Sequence, residues 1–186
     1  MITYVVDTVQ PLVDEVLVVT NTENNRGKIS RVIDSKVKIV LDESHLKSPL
    51  IGALTGFKHA KGKYSLLLAC DTPLISRKVI SLLLELITGN DAVVPKWPSG
   101  YIEPLQAIYD TQKGYEASFQ AILQKELRMK GLITRLKDVL YISTLELSKL
   151  DSELHTFLNV NLPKDFTKLE RILHTTRNTN ENHLVK

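Results

Sequence analysis

A chain of 186 residues has room for one domain with a substantial core and too little for two. Its composition, 43% hydrophobic and 24% charged, is that of a globular protein; a net charge of +3 with no Lys/Arg block alternating with aromatics gives no reason to expect nucleic acid. A single cysteine, Cys70, excludes an internal disulfide and a multi-cysteine zinc site, and with no apolar run of spanning length and no leader pattern at Met1-Ile2-Thr3-Tyr4 the expectation is a cytoplasmic protein without membrane contact.

Residues 2–12 place Val5, Val6, Val9 and Leu12 on one helical face. A buried strand is expected over 15–21, a short polar helix within 22–31, and a second strand over 37–41 closed by Asp42. Residues 50–60 read as a helix, followed by the run Ser65-Leu66-Leu67-Leu68-Ala69-Cys70, which reads as a strand buried on both faces. Cys70 then counts as a small core residue. Next come a helix over 76–88 with Ser76 as N-cap and Gly89 as stop, and a strand over 91–95. A loop with Trp97 and Pro98 leads to a strand over 104–109, a helix over 113–128 and a last strand over 139–142. Pro163 suits the first turn of a final helix to about residue 173, and 175–186 read as a frayed polar tail. Regular alternation of strand and helix predicts one α/β domain, 1–174, with a mostly parallel sheet between helical layers.

Three expected strands end in polar residues: Asn21, Asp42 and Asp71. In a parallel sheet those ends share one edge, where α/β proteins bind ligands. Asn21 can donate to and accept from a base or ribose, and Asp42 can accept from either. Asp71, between an apolar run and Thr72-Pro73, suits Mg²⁺, which takes one or two carboxylates alongside phosphate oxygens. Turn and cap chemistry is the competing explanation for each. Asn159 and Asn161, one residue apart, would project to the same side of an extended segment and could grip a polar ring or phosphate. The helix start at Ser48-Pro49-Leu50-Ile51-Gly52 offers backbone N–H groups. Trp97 could line a substrate mouth.

Taken in order, four segments resemble the molybdenum cofactor guanylyltransferases, the MobA family. They are Asp42 with Ser48-Pro49-Leu50-Ile51-Gly52; Leu68-Ala69-Cys70-Asp71-Thr72-Pro73; Glu103-Pro104-Leu105-Gln106-Ala107-Ile108-Tyr109; and Asn159-Val160-Asn161-Leu162-Pro163-Lys164-Asp165. The resemblance covers residues 2–173, with Ser48 standing where the family has glycine. It implies a Rossmann-like nucleotidyltransferase fold and transfer of GMP from GTP to the terminal phosphate of molybdopterin, with release of pyrophosphate and help from Mg²⁺. By the same resemblance Asp71 binds the metal and orients the α-phosphate, Asn21 and Asp42 hold the nucleotide, and Asn159 and Asn161 face the acceptor. Transient contacts with other proteins of molybdenum cofactor synthesis are implied as well.

One departure stands out. The family begins with a central strand and a loop of the type Leu-Ala-Gly-Gly-x-Ser-x-Arg-x-Gly-x-x-Lys around the triphosphate, whereas this sequence starts in the following helix. The expectation is therefore a sheet lacking its first strand, in a sequence that starts at an internal methionine. The alternatives are a cytidylyl- or sugar-phosphate nucleotidyltransferase, and a non-catalytic protein that binds a nucleotide or the cofactor.

Overall fold

A computed structural model describes residues 1–42, 44, 46–161 and 165. The expected final helix, apart from Asp165, and the tail lie outside the described residues. Helix α1 (Ile2–Val9) continues into a 3-10 turn, Gln10–Leu12. Strand β1 (Leu17–Thr20), helix α2 (Glu23–Ile29), strand β2 (Lys38–Leu41), helix α3 (Pro49–His59) and strand β3 (Tyr64–Leu68) follow. Then come α4 (Arg77–Leu86), β4 (Ala92–Lys96), β5 (Gln106–Asp110), α5 (Thr111–Leu123), α6 (Met129–Ile133), β6 (Val139–Ser143) and α7 (Thr144–Leu147).

The strands form a parallel pair, β1-β2, and a four-stranded sheet in the order β3-β5-β4-β6. One strand departs from the parallel run: β5 lies antiparallel to both β3 and β4, while β4 and β6 are parallel. Connection length explains it: residues 97–105 are too few for the crossover that a parallel neighbour needs. Among the described residues β1 and β3 each carry a single partner, which leaves a break between the two sheets. The N–H of Lys61, ahead of β3, donates to the carboxylate of Glu15, ahead of β1, so both strands start on one side.

Alternation along the middle strands builds two cores. Ala92 and Val94 of β4 and Ala107 and Tyr109 of β5 face α3, α5 and α6, where Leu50, Phe57, Ala117, Ala121 and Leu132 are buried. Val93 and Ile108 point the other way, against Val5, Val79, Ile80, Leu83 and Leu147 of α1, α4 and α7. Helices α3 and α5 approach so closely that a Cβ on Gly114 would lie 2.8 Å from the Phe57 ring, itself edge-on to Tyr109 at 5.6 Å.

β3 is not buried on both faces, as the apolar run had suggested. All five of its residues are half-buried, because among the described residues it has a neighbour on one side only. Cys70 is a second correction: the strand ends at Leu68, Ala69 N–H still bonds Leu105 O at 3.0 Å, and Cys70 lies exposed in the turn beyond. Ser76 precedes α4 as expected, yet its side chain makes no capping bond. The helix expected over 113–128 instead spans Thr111–Leu123, and Lys125 has φ 62°.

At the opposite end of β4, the buried carboxylate of Asp91 ties four elements together. It pairs with Lys113 of α5 and accepts the backbone N–H groups of Lys137 (2.9 Å) and Asp138 (3.2 Å), while its backbone bonds Asp138 and Asp110. Burial alone would push this carboxyl up, but Lys113 and the two backbone donors outweigh it and hold it below the usual aspartate value. Asp91→Ala strands two backbone donors and should lower unfolding free energy by about 2–4 kcal/mol in urea titrations. A depressed folded pKa stabilises above the unfolded value, near pH 4, and that contribution is lost as the pH falls through the folded one. The stability gap between wild type and variant should therefore narrow progressively below about pH 4; a gap unchanged at low pH would contradict the assignment.

Candidate functional site

Because β3 and β4 share a direction and β6 follows β4, their carboxyl ends emerge on one edge, beside the start of β5. The shared start of β1 and β3 turns the ends of β1 and β2 to that edge also. Asn21 and Asp42 come together there, in a cleft lined with Lys47, Ser48 and Gly52. The register makes this so: Thr20 faces Leu41 across the parallel pair, and Asp42 N–H donates to Thr20 O at 2.8 Å. Asn21 is exposed. The Asp42 carboxylate accepts from Ser44 N–H (3.0 Å) and lies 3.5 Å from Thr55 Oγ1, so turn chemistry accounts for part of its placement.

The helix start offers fewer donors than the sequence suggests. Ser48 caps α3 by accepting from Ile51 N–H at 3.3 Å, Gly52 N–H bonds Ser48 O, and Pro49 has no N–H.

Asp71 begins a second cluster. It is half-buried, and among the described residues nothing donates to its carboxylate. Its backbone carbonyl accepts from Val160 N–H at 2.8 Å, which docks the segment bearing Asn159 and Asn161 beside it. Val160 is 1% exposed while both asparagines are exposed, the alternation expected of an extended segment. A second tie runs from Ser76 N–H to Thr156 Oγ1 at 3.0 Å. Asn161 N–H donates to the Asp165 carboxylate at 3.1 Å. Partial burial and then the charge of Asp71 push the Cys70 thiol up, so it has no activation as a nucleophile.

Sequence reasoning passed over three polar residues on this edge. The Glu103 carboxylate accepts from the indole N–H of Trp97 at 2.7 Å, and burial, only partly countered by that bond, pushes its pKa up. Buried Gln106 donates to Thr72 Oγ1 at 3.4 Å. Lys47 lines the first cleft. Glu103 and Gln106 could have been suspected from polar residues flanking Pro104-Leu105 at a strand start. Lys47 carried no signal. Trp97 packs edge-on against Phe157 at 5.8 Å, so the loop after β4 meets the segment that carries the asparagines. Among the described residues, no three His, Cys, Asp or Glu side chains gather as a metal cage.

The architecture has close counterparts. A protein of Bacillus licheniformis named "Probable molybdenum cofactor guanylyltransferase" is 30% identical over 165 residues, covering 87% of this chain and 80% of that protein. One of the same name from Methanosarcina mazei is 26% identical over 168 residues, covering 85% and 72%. The crystal structure of molybdopterin-guanine dinucleotide biosynthesis protein A from Archaeoglobus fulgidus superposes with a TM-score of 0.76 at 26% identity, over 92% of this chain and 84% of that one. Residues 1–139 match the MobA-like NTP transferase domain, and with the paired strands, the split sheet and the shared ligand edge in place, the chain belongs to that family.

Proposed function

We propose that this protein transfers GMP from GTP to molybdopterin. A phosphate oxygen of the acceptor attacks the α-phosphorus as the bond to the β-phosphate breaks, and pyrophosphate leaves. The observation that carries this reading is the Asp71 carboxylate: half-buried, beyond the carboxyl end of β3, and given no donor by the described residues. A half-buried carboxylate with no donor from the described residues keeps its acceptor positions for solvent or a ligand. A lone carboxylate also fits Mg²⁺ delivered with a nucleotide, since that ion keeps most of its shell for phosphate and water. Bound there, the ion would neutralise charge on the phosphates.

The chain's own residues bind and orient. Asn21 and Asp42, with Lys47 beside them, take the guanosine side; Asn159 and Asn161 take the acceptor side, held against Asp71 by the Val160 bond. Phosphoryl-type transfer depends on positioning and charge neutralisation more than on a strong base, and no activated nucleophile is needed. The setting is the cytoplasm, with transient contacts to the proteins that make and receive the cofactor. No helix among the described residues is long and apolar enough to cross a membrane.

Pyrophosphate release from GTP, molybdopterin and Mg²⁺ tests the reaction, on the chain as it stands and on one carrying the Leu-Ala-Gly-Gly-x-Ser-x-Arg type of strand and loop ahead of Met1. Asp71→Ala should lower kcat by on the order of 10²-fold or more in whichever form turns over. Full turnover in that variant would remove Asp71 from the reaction. Asn159→Ala and Asn161→Ala should each raise the KM for molybdopterin by about tenfold, equivalent to one lost hydrogen bond, and leave the KM for GTP in place. A rise in the GTP value instead would move the asparagines to the nucleotide side.

A further inference from the structure

The bond between Glu103 and Trp97 has no part in the assignments above, and its geometry singles it out. The loop that carries it is firmly built. Residues 97–100 form a turn closed by Gly100 N–H to Trp97 O (2.8 Å), with Pro98 at its second position and Gly100 at φ 88°. Trp97 N–H bonds Tyr101 O, and Lys96 bridges to Ile102. Glu103 itself is held at both backbone groups: its N–H bonds Pro95 O at 2.9 Å, and its carbonyl accepts Gln106 N–H at 3.2 Å. Tyr109, fully buried, donates its hydroxyl to Pro104 O at 2.7 Å.

A carboxylate placed so deliberately uses one acceptor position, on Oε1, for the indole N–H. Among the described residues nothing donates to Oε2. What remains is a planar two-oxygen edge, half-buried, next to an aromatic pair. Such an edge matches a flat heterocycle with two adjacent N–H donors, one on the ring and one exocyclic. Both guanine and a pterin carry that amino-pyrimidinone edge. Location separates them, because Trp97 packs on Phe157, two residues from Asn159, whereas Asn21 and Asp42 line a different cleft.

We infer that Glu103, anchored by Trp97, is the residue that recognises the amino-pyrimidinone edge of the pterin acceptor. The inference rests on the reading above that the acceptor is a pterin. Glu103→Gln is the informative change. The indole can only donate, so the glutamine oxygen stays toward Trp97 and its NH2 group faces the ligand's own donors.

Binding measured without turnover tests this separately from the reaction. 6-Methylpterin, which is fluorescent, and GTP are titrated into the wild-type chain and its variants, with thermal unfolding followed in parallel. Wild type should bind the pterin, and Glu103→Gln should weaken it by about tenfold or more while the GTP affinity and Tm hold. Trp97→Phe leaves the charge but frees it, and should weaken the pterin by about fivefold. Equal pterin affinity in Glu103→Gln and wild type, absence of pterin binding by wild type, or a loss that falls on GTP would each overturn the assignment. Should Glu103→Gln fail to fold, Trp97→Phe with unaltered pterin affinity overturns it too. Pterin binding that depends on Glu103 in a protein releasing no pyrophosphate would sink the reaction and leave this recognition standing.

Discussion

The antiparallel register of β5 between β3 and β4 fixes almost everything that matters at the ligand edge. Leu68 faces Gln106 on one side and Ala92 faces Tyr109 on the other, so the beginning of β5 meets the end of β3. A slip of one residue would turn Ala107 and Tyr109 out of one core and Ile108 out of the other. The pairing is thus held by both cores at once. Gln106 reaches Thr72, and Leu105 O accepts from Ala69 N–H, as consequences of that register. Remove it and the chemistry-bearing loops have no common address.

Partners, more than residue type, separate the aspartates. Asp91 has Lys113 and two backbone donors, and its role is exhausted in joining β4, β6 and α5 at the end away from the ligand edge. Asp42 stands between structure and function: its Oδ1 accepts from Ser44 N–H and lies 3.5 Å from Thr55 Oγ1, and the residue lines a cleft. Asp71 has its backbone carbonyl engaged and no donor to its carboxylate among the described residues. In physical terms these are a satisfied buried charge, a turn residue with spare lone pairs, and a half-buried carboxylate whose acceptor positions are open to solvent or a ligand.

Much of this was legible in the sequence, for reasons that can be named. The apolar runs of β1 to β4 are strand-length and stop at polar residues, so strand existence followed from pattern even where ends moved by one or two residues. The position of Asp71 just beyond a strand was legible because it follows the longest such run. Direction was not: nothing in Gln106–Asp110 says antiparallel, and only the short connection from β4 hints at it. The exposure of Cys70 was equally hidden, because an apolar run does not announce where its hydrogen-bonded partner ends. Glu103 was missed for a different reason. Its distinction is a bond from Trp97 six positions earlier, made possible by a turn at Pro98, and single-residue reading does not see such pairs.

The polar residues of this edge fall on either side of the break between β1 and β3, and that division bears on the kind of reaction such a fold can host. The cleft of Asn21 and Asp42 belongs to the parallel pair and α3; Asp71 follows β3 and Glu103 precedes β5, both strands of the four-stranded sheet. No described strand pairing joins them, so a ligand spanning the break would contact both bodies of the sheet. On the proposed reaction the dinucleotide product does this, with guanosine on one side, the pterin on the other and the new diphosphate between. The free energy of its binding would then also stabilise the contact of the two sheets, by linkage. On the same proposal, a fold that divides donor and acceptor sides in this way would favour a transfer in line between them, with the Asp71 carboxylate near the phosphates.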